Sequence, residues 1–199
     1  MSILFLATHN VQCGIATYTE QLRNALDQDS DIVSLPSKDQ VKSGKSLEHA
    51  IDDFVERAKS YDVVHIQHEH GLFYGTGDEF DAMKNFGKLL SELAKIKTQT
   101  FVTFHSDPVF YTGFKLRVSP LHIVNFCASK LWRSNVAKWF QPKHNITAIV
   151  HTERTKKEFL KSTFHKDNIT VIPHGVIDRS IEFVPIDHRS EVNLSIFGF

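Results

Sequence analysis

The chain has 199 residues, enough for one sizeable core, and its 23 basic and 23 acidic residues cancel, so no bulk charge draws it to nucleic acid. A hydrophobic share of 41% and a charged share of 23% are those of a globular chain and exclude a disordered one. Two cysteines, Cys13 and Cys127, are too few for a disulfide framework and point to a reducing, cytoplasmic setting.

The apolar opening has no basic flank and breaks at Thr8-His9-Asn10, too early for a secretory signal. No run nears the roughly 18 apolar residues of a membrane span. Ile3 to Ala7 predicts a buried first strand, followed by the loop His9 to Gly14 and a helix whose Tyr18, Leu22, Ala25 and Leu26 share a face. Ile32 to Leu35 predicts a second strand, and the polar, lysine-rich stretch Ser37 to Ser46 a mobile loop. Leu47, Ile51, Phe54, Val55 and Ala58 repeat at helical spacing, before a third strand at Val63 to Gln67. Phe80, Met83, Phe86, Leu90, Leu93 and Ala94 mark a longer helix. Strands at Phe101 to Phe104, Ile146 to Val150 and Ile169 to Ile172 follow, with a helix at Thr155 to Phe164 between the last two.

Strands alternating with amphipathic helices predict an α/β, doubly wound parallel sheet of the Rossmann-like kind, with active groups beyond the strands' C-terminal ends. His9, His68, Glu69, His105, Thr152 and Glu153 all fall at or just past such ends, so the fold would gather them on one rim. Two segments break the rhythm. Pro108 to Thr152 holds no Asp or Glu but carries Lys115, Arg117, Lys130, Arg133, Lys138 and Lys143 with Trp132, Trp139 and Phe140. This is either a basic helical surface with aromatic packing or a contact for an anionic membrane or acceptor lipid. Val192 to Phe199 begins a further strand, which suggests a domain over 1–185 and the start of a second over 186–199.

Several motifs fail on inspection. Gly44-Lys45-Ser46 resembles the end of a phosphate-binding P-loop, but the position of its first glycine is Asp39. Gly-x-Gly-x-x-Gly is absent around Gly14, which argues against NAD. In His65-Ile-Gln-His68-Glu69-His70 a zincin would need histidine where Leu72 stands, and His65 and His68 face opposite sides of a strand, so no metal is expected there.

The ordered set of remaining motifs resembles glycosyltransferase family 4, the group 1 glycosyltransferases. Cys13-Gly-Ile-Ala-Thr-Tyr-Thr-Glu-Gln-Leu22 is similar to that family's glycine loop and first helix, and Asp62 to Phe73 to its third strand and loop. Thr103-Phe-His105 resembles its Thr-x-His signature, and Ile149-Val-His-Thr-Glu153 its Val-His-Ser-Glu-like segment. Val171-Ile-Pro-His-Gly-Val176 resembles the element that leads out of its first domain, and Ile196-Phe-Gly-Phe199 the opening strand of its second.

The resemblance implies the N-terminal, acceptor-side domain of a GT-B fold and a retaining, metal-independent hexosyltransferase. Such an enzyme moves a sugar from a nucleotide-sugar donor to a glycan or lipid-linked acceptor, with possible peripheral membrane contact on the cytoplasmic face. Most of the nucleotide-sugar site in that family belongs to the second domain, so this half alone would be inactive. His105 is implied as the catalytic residue, hydrogen-bonded to the donor sugar. Gly14 and Ile15, opening a helix, would let backbone N–H groups approach the donor phosphates. His68, Glu69, His70 and Thr17 fall on the acceptor side. His151 and Glu153 brace the rim, with Glu153 favoured by the helix dipole, and His174-Gly175 shapes a hinge whose glycine permits a tight turn. The nucleotide-sugar is a substrate, and no cofactor or metal is implied. Two other readings stay open: a non-catalytic glycan- or membrane-binding module, and a different Rossmann-like enzyme with a complete site of its own.

Overall fold

The computed structural model describes residues 1–9, 13–75, 79–105 and 135–175, without the side chains of His70, Glu79 and Phe80. The expected strand at 192–199, the boundary at 185/186 and most of the acid-free basic stretch, with Lys115, Arg117, Lys130, Trp132 and Arg133, lie outside them.

Among the described residues six strands form one sheet: β1 (Ser2–Leu6), β2 (Asp29–Val33), β3 (Val63–His68), β4 (Gln99–Phe104), β5 (Ile146–Val150) and β6 (Ile169–Val171). Their order is β2-β1-β3-β4-β5-β6 and every pairing is parallel. The helices are α1 (Gly14–Leu26), α2 (Lys38–Lys42), α3 (Leu47–Ala58), α4 (Glu79–Leu93) and α5 (Glu153–Leu160). This is the doubly wound, Rossmann-like α/β fold. The chain winds outward from β1 in both directions, so the strand order reverses between β1 and β3, where this architecture opens a crevice at the C-terminal ends.

Period-two alternation divides the sheet into unlike faces. One face carries Leu4, Leu6, Val64, Ile66, Val102, Phe104, Ala148 and Val150, all buried in a single cluster with Ile51 and Phe54 of α3, Phe86 and Leu90 of α4 and Phe159 of α5. Phe104 sits at the heart of that layer, its ring 5.0–6.5 Å from those of Phe86, Phe140, Phe159 and Phe164. Much of the described phenylalanine is therefore core. The opposite face presents Phe5, His65, Gln67 and Thr103, and Tyr18 of α1 meets His105 at the end of that side.

Several local expectations change. Ser37 to Ser46 is not a featureless loop: Ser37 caps α2 reciprocally with Gln40, a capping box that starts a short helix despite the polar composition. The second strand begins at Asp29 rather than Ile32, because an edge strand is recruited by the backbone ladder with Ser2–Leu6 and needs no apolar run. The expected inward face of α1 is not uniform. Ala16 and Thr19 are buried but Leu26 is 39% exposed, so only the N-terminal part of this helix covers the sheet. In the basic stretch, Phe140 is fully buried, Trp139 packs against the core and Lys138 Nζ lies 5.0 Å from the Trp139 ring centre. These described aromatics are packing residues. Among the described residues no helix is long and apolar enough to cross a membrane.

Phe104→Ala removes the ring shared by α4, α5 and the segment at Phe140. We expect it to lower unfolding free energy by about 3–5 kcal/mol, read as a reduced urea midpoint with the slope unchanged.

Candidate functional site

The rim above the C-terminal ends of β4 to β6 is built from one residue per strand. His105 follows β4, His151 follows β5, and His174 lies three residues past β6. They are widely separated in sequence, but parallel pairing sets the strand ends side by side. Their ring centres are 5.2 Å (His105–His151), 5.5 Å (His105–His174) and 3.9 Å (His151–His174) apart. Tyr18, one turn into α1, sets its ring edge-on against all three, at 5.1 Å from His105, 6.0 Å from His151 and 5.1 Å from His174.

Beneath the rim runs a polar line on the same face of the sheet. His105 Nε2 donates to Gln67 Oε1 at 2.7 Å, and the Gln67 amide nitrogen lies 3.5 Å from His65 Nε2. An amide NH2 only donates, so His65 Nε2 accepts, and the Thr103 hydroxyl 2.8 Å away donates to it as well. Gln67, fully buried, thereby fixes the tautomer of His105, leaving the proton on Nε2 and the lone pair on Nδ1. His151 is fixed the other way: its Nδ1 donates to the Ile172 carbonyl at 2.9 Å, leaving the lone pair on Nε2.

Burial decides the charge. Removal from water lowers the His65 pKa to about 4. His105 is also lowered to about 4, first by burial and then by repulsion from His151, His174 and His65. His174 is lowered for the same two reasons, burial and His151. His105 is thus neutral near pH 7, and His174 is biased toward the neutral form.

Gly14 is exposed at the first position of α1, after Cys13, whose sulfur accepts from the Ala16 N–H at 3.3 Å and touches the Thr8 hydroxyl at 3.1 Å. A Cβ on Gly14 would meet nothing within 4 Å, so packing does not demand glycine there, and the backbone of the helix start is open to approach. Ile15 is half-buried and Thr17 exposed. The Thr17 hydroxyl donates to the Cys13 carbonyl, and His9 Nδ1 lies 3.2 Å from Glu20.

Two expectations fail. His68 does not sit on the loop after β3. It is the last residue of that strand, 1% exposed, and alternation turns it to the face opposite His65 and Gln67, among the rings of Phe73, Phe86 and Phe104. A side chain enclosed there is out of reach of an acceptor arriving at the rim. Gly175 takes no left-handed conformation and a Cβ on it would meet nothing within 4 Å, so a tight turn is not the reason for that glycine. Glu69 is exposed, as a loop residue should be; the backbone of His70 opens a 3-10 turn, and its side chain lies outside the described set. Glu153 occupies the first turn of α5, next to the Thr152 cap, where the helix dipole favours a carboxylate.

Sequence reasoning missed Gln67 and Tyr18. The signal for Gln67 was present: it stands two residues after His65 and, through the β3–β4 register, shares the face of Thr103. Tyr18 lies four residues after Gly14, one turn inside the helix that begins at the rim. The chain matches no protein-family model and no curated protein.

Because the pKa of His65 is about 4 in the fold against 6.5 unfolded, the unfolded chain binds more protons between those values. This contribution is fully present above pH 6.5 and is lost as pH falls toward 4. We expect chemical denaturation from pH 7 to 4 to show a decline, to which His65 alone contributes roughly 3 kcal/mol. The decline should be shallower in His65→Gln.

Proposed function

We propose that this chain is the acceptor-side, N-terminal half of a retaining, sugar-nucleotide-dependent glycosyltransferase of the two-domain GT-B kind. The observation that carries the reading is convergence. The segments that resemble the family, around Gly14, His105, His151 and His174, are scattered over the sequence yet close at hand in the fold: Tyr18 of the glycine-loop helix touches all three imidazoles.

The chemistry suits that assignment. Glycosyl transfer needs the leaving diphosphate stabilised and the donor sugar and acceptor hydroxyl held together. Open backbone at Gly14, at the positive end of α1, favours a phosphate without a side chain in the way. His105 is neutral, and its Nδ1 lone pair is an acceptor for a sugar hydroxyl, held at a fixed angle by the Nε2–H bond to Gln67. It does not serve as the proton acceptor of the reaction in this scheme. The leaving phosphate takes the acceptor proton, and no metal or cofactor is needed. Glu69, His70 and Thr17 remain the acceptor-side candidates, with His68 withdrawn. The acceptor is a glycan or a lipid-linked species, reached in the cytoplasm or at a membrane surface.

Calorimetric titration of the 199-residue chain with UDP-sugars, GDP-sugars and NAD tests the reading. Binding no tighter than about millimolar is expected for a half whose nucleotide site lies mainly on another domain. Micromolar binding of any one nucleotide would mean a complete site here and would end this proposal. In an enzyme that also supplies the donor half, His105→Ala should lower kcat at least about tenfold with the fold intact.

A further inference from the structure

We infer that His105, His151 and His174 form a three-imidazole site for a divalent transition-metal ion such as zinc. One ligand nitrogen from each residue can be chosen so that all three lie within 4.8 Å of one another. Proximity alone would not make a site; the hydrogen bonds do. His105 spends its Nε2 proton on Gln67 and His151 its Nδ1 proton on the Ile172 carbonyl. Each ring is therefore locked by a partner on one nitrogen and keeps a lone pair on the other, which is how metal-binding histidines are oriented. A separate observation points the same way: His151 Nε2, the atom left with the lone pair, is buried and has no hydrogen-bond partner. A buried acceptor is seldom left unsatisfied unless something fills the place.

The donor set fits the ion. Three imidazole nitrogens suit zinc, nickel or copper rather than calcium or magnesium, which prefer oxygen, and no carboxylate joins the cluster among the described residues. Zinc–nitrogen bonds of about 2.0–2.1 Å in tetrahedral array put neighbouring nitrogens about 3.3 Å apart, so the rings must draw in slightly. His174 is the ring able to do so. It is exposed, makes no hydrogen bond among the described residues and stands in an irregular segment beside an unhindered Gly175. Three protein ligands leave a fourth position for water.

The site stands on this geometry and does not need the glycosyltransferase reading. One consequence does rest on it: an ion on His105 Nδ1 would take the lone pair assigned to the donor sugar, so the metal would act as a competitor and an inhibitor of transfer.

The test is zinc and cobalt titration of tag-free, chelator-stripped chain in the absence of any nucleotide, by calorimetry and by the cobalt absorption spectrum. One ion per chain is expected, with affinity reduced at least about tenfold in both His174→Ala and His151→Ala. His165→Ala, which alters an imidazole outside the cluster, should bind as the parent does. His174 is exposed, so its variant keeps the test open should His151→Ala fail to fold. No binding tighter than about millimolar, or binding that the His174 variant retains in full, would overturn the site. A failed nucleotide titration would leave this result untouched, and the reverse is equally true.

Discussion

Side-chain alternation along β3 and β4 is the constraint on which the rest of the molecule depends. Residues 64, 66, 102 and 104 turn to one face, and residues 65, 67 and 103 to the other. The first set is hydrocarbon and docks α3, α4 and α5; the second is polar and buried, and leads up to His105. A slip of one residue in β3 would send His65 and Gln67 into the aromatic layer and turn Val64 and Ile66 out of it, and a slip in β4 would do the same to Thr103 and Phe104. The aromatic layer and the rim histidines are therefore two outcomes of one register, and neither can be altered by shifting a strand without losing the other.

The polar face is tolerable because it is closed on itself. Thr103, His65 and Gln67 are buried and would each be costly without partners. Linked in line to His105, they satisfy one another with neutral groups only. The line has a direction: each donor points away from the rim, so the orientation of His105 is set by the buried residues beneath it. At the rim, burial and the neighbouring imidazoles both hold the pKa of His105 and of His174 down, so neither of these two rings adds a charge to the crowding near neutral pH.

What could be seen in the sequence follows the range of the interactions. Helix α3 and strand β5 begin and end where the pattern of apolar residues placed them, because Leu47, Ile51, Phe54 and Val55, and likewise Ile146, Ala148 and Val150, are buried by that pattern. The C-terminal placement of His105 and His151 was also legible, since a parallel sheet dictates which end collects the loops. The partnership of His105 with Gln67 was not, because it requires the β3–β4 register, which joins residues 36 apart in sequence. Helix α2 was hidden by composition, although Ser37 and Gln40 carried its local start signal. His68 was misjudged for a different reason: polar residues at a strand end suggest a loop, but here Phe73, Phe86 and Phe104 surround the imidazole and hold it as one more ring in the core.

The tie between Ser2 and Asp62 has a practical corollary. The Asp62 carboxylate accepts from both the backbone N–H and the hydroxyl of Ser2, at 2.7 and 3.2 Å, which pins the entry of β1 to the turn before β3. Both strands run away from that point, so their far ends carry the rim and Met1, 64% exposed, stands at the opposite pole of the sheet. A dye, a resin or a sensor surface coupled through Met1 would therefore hold the molecule by its floor, at the end of the sheet away from the imidazole cluster.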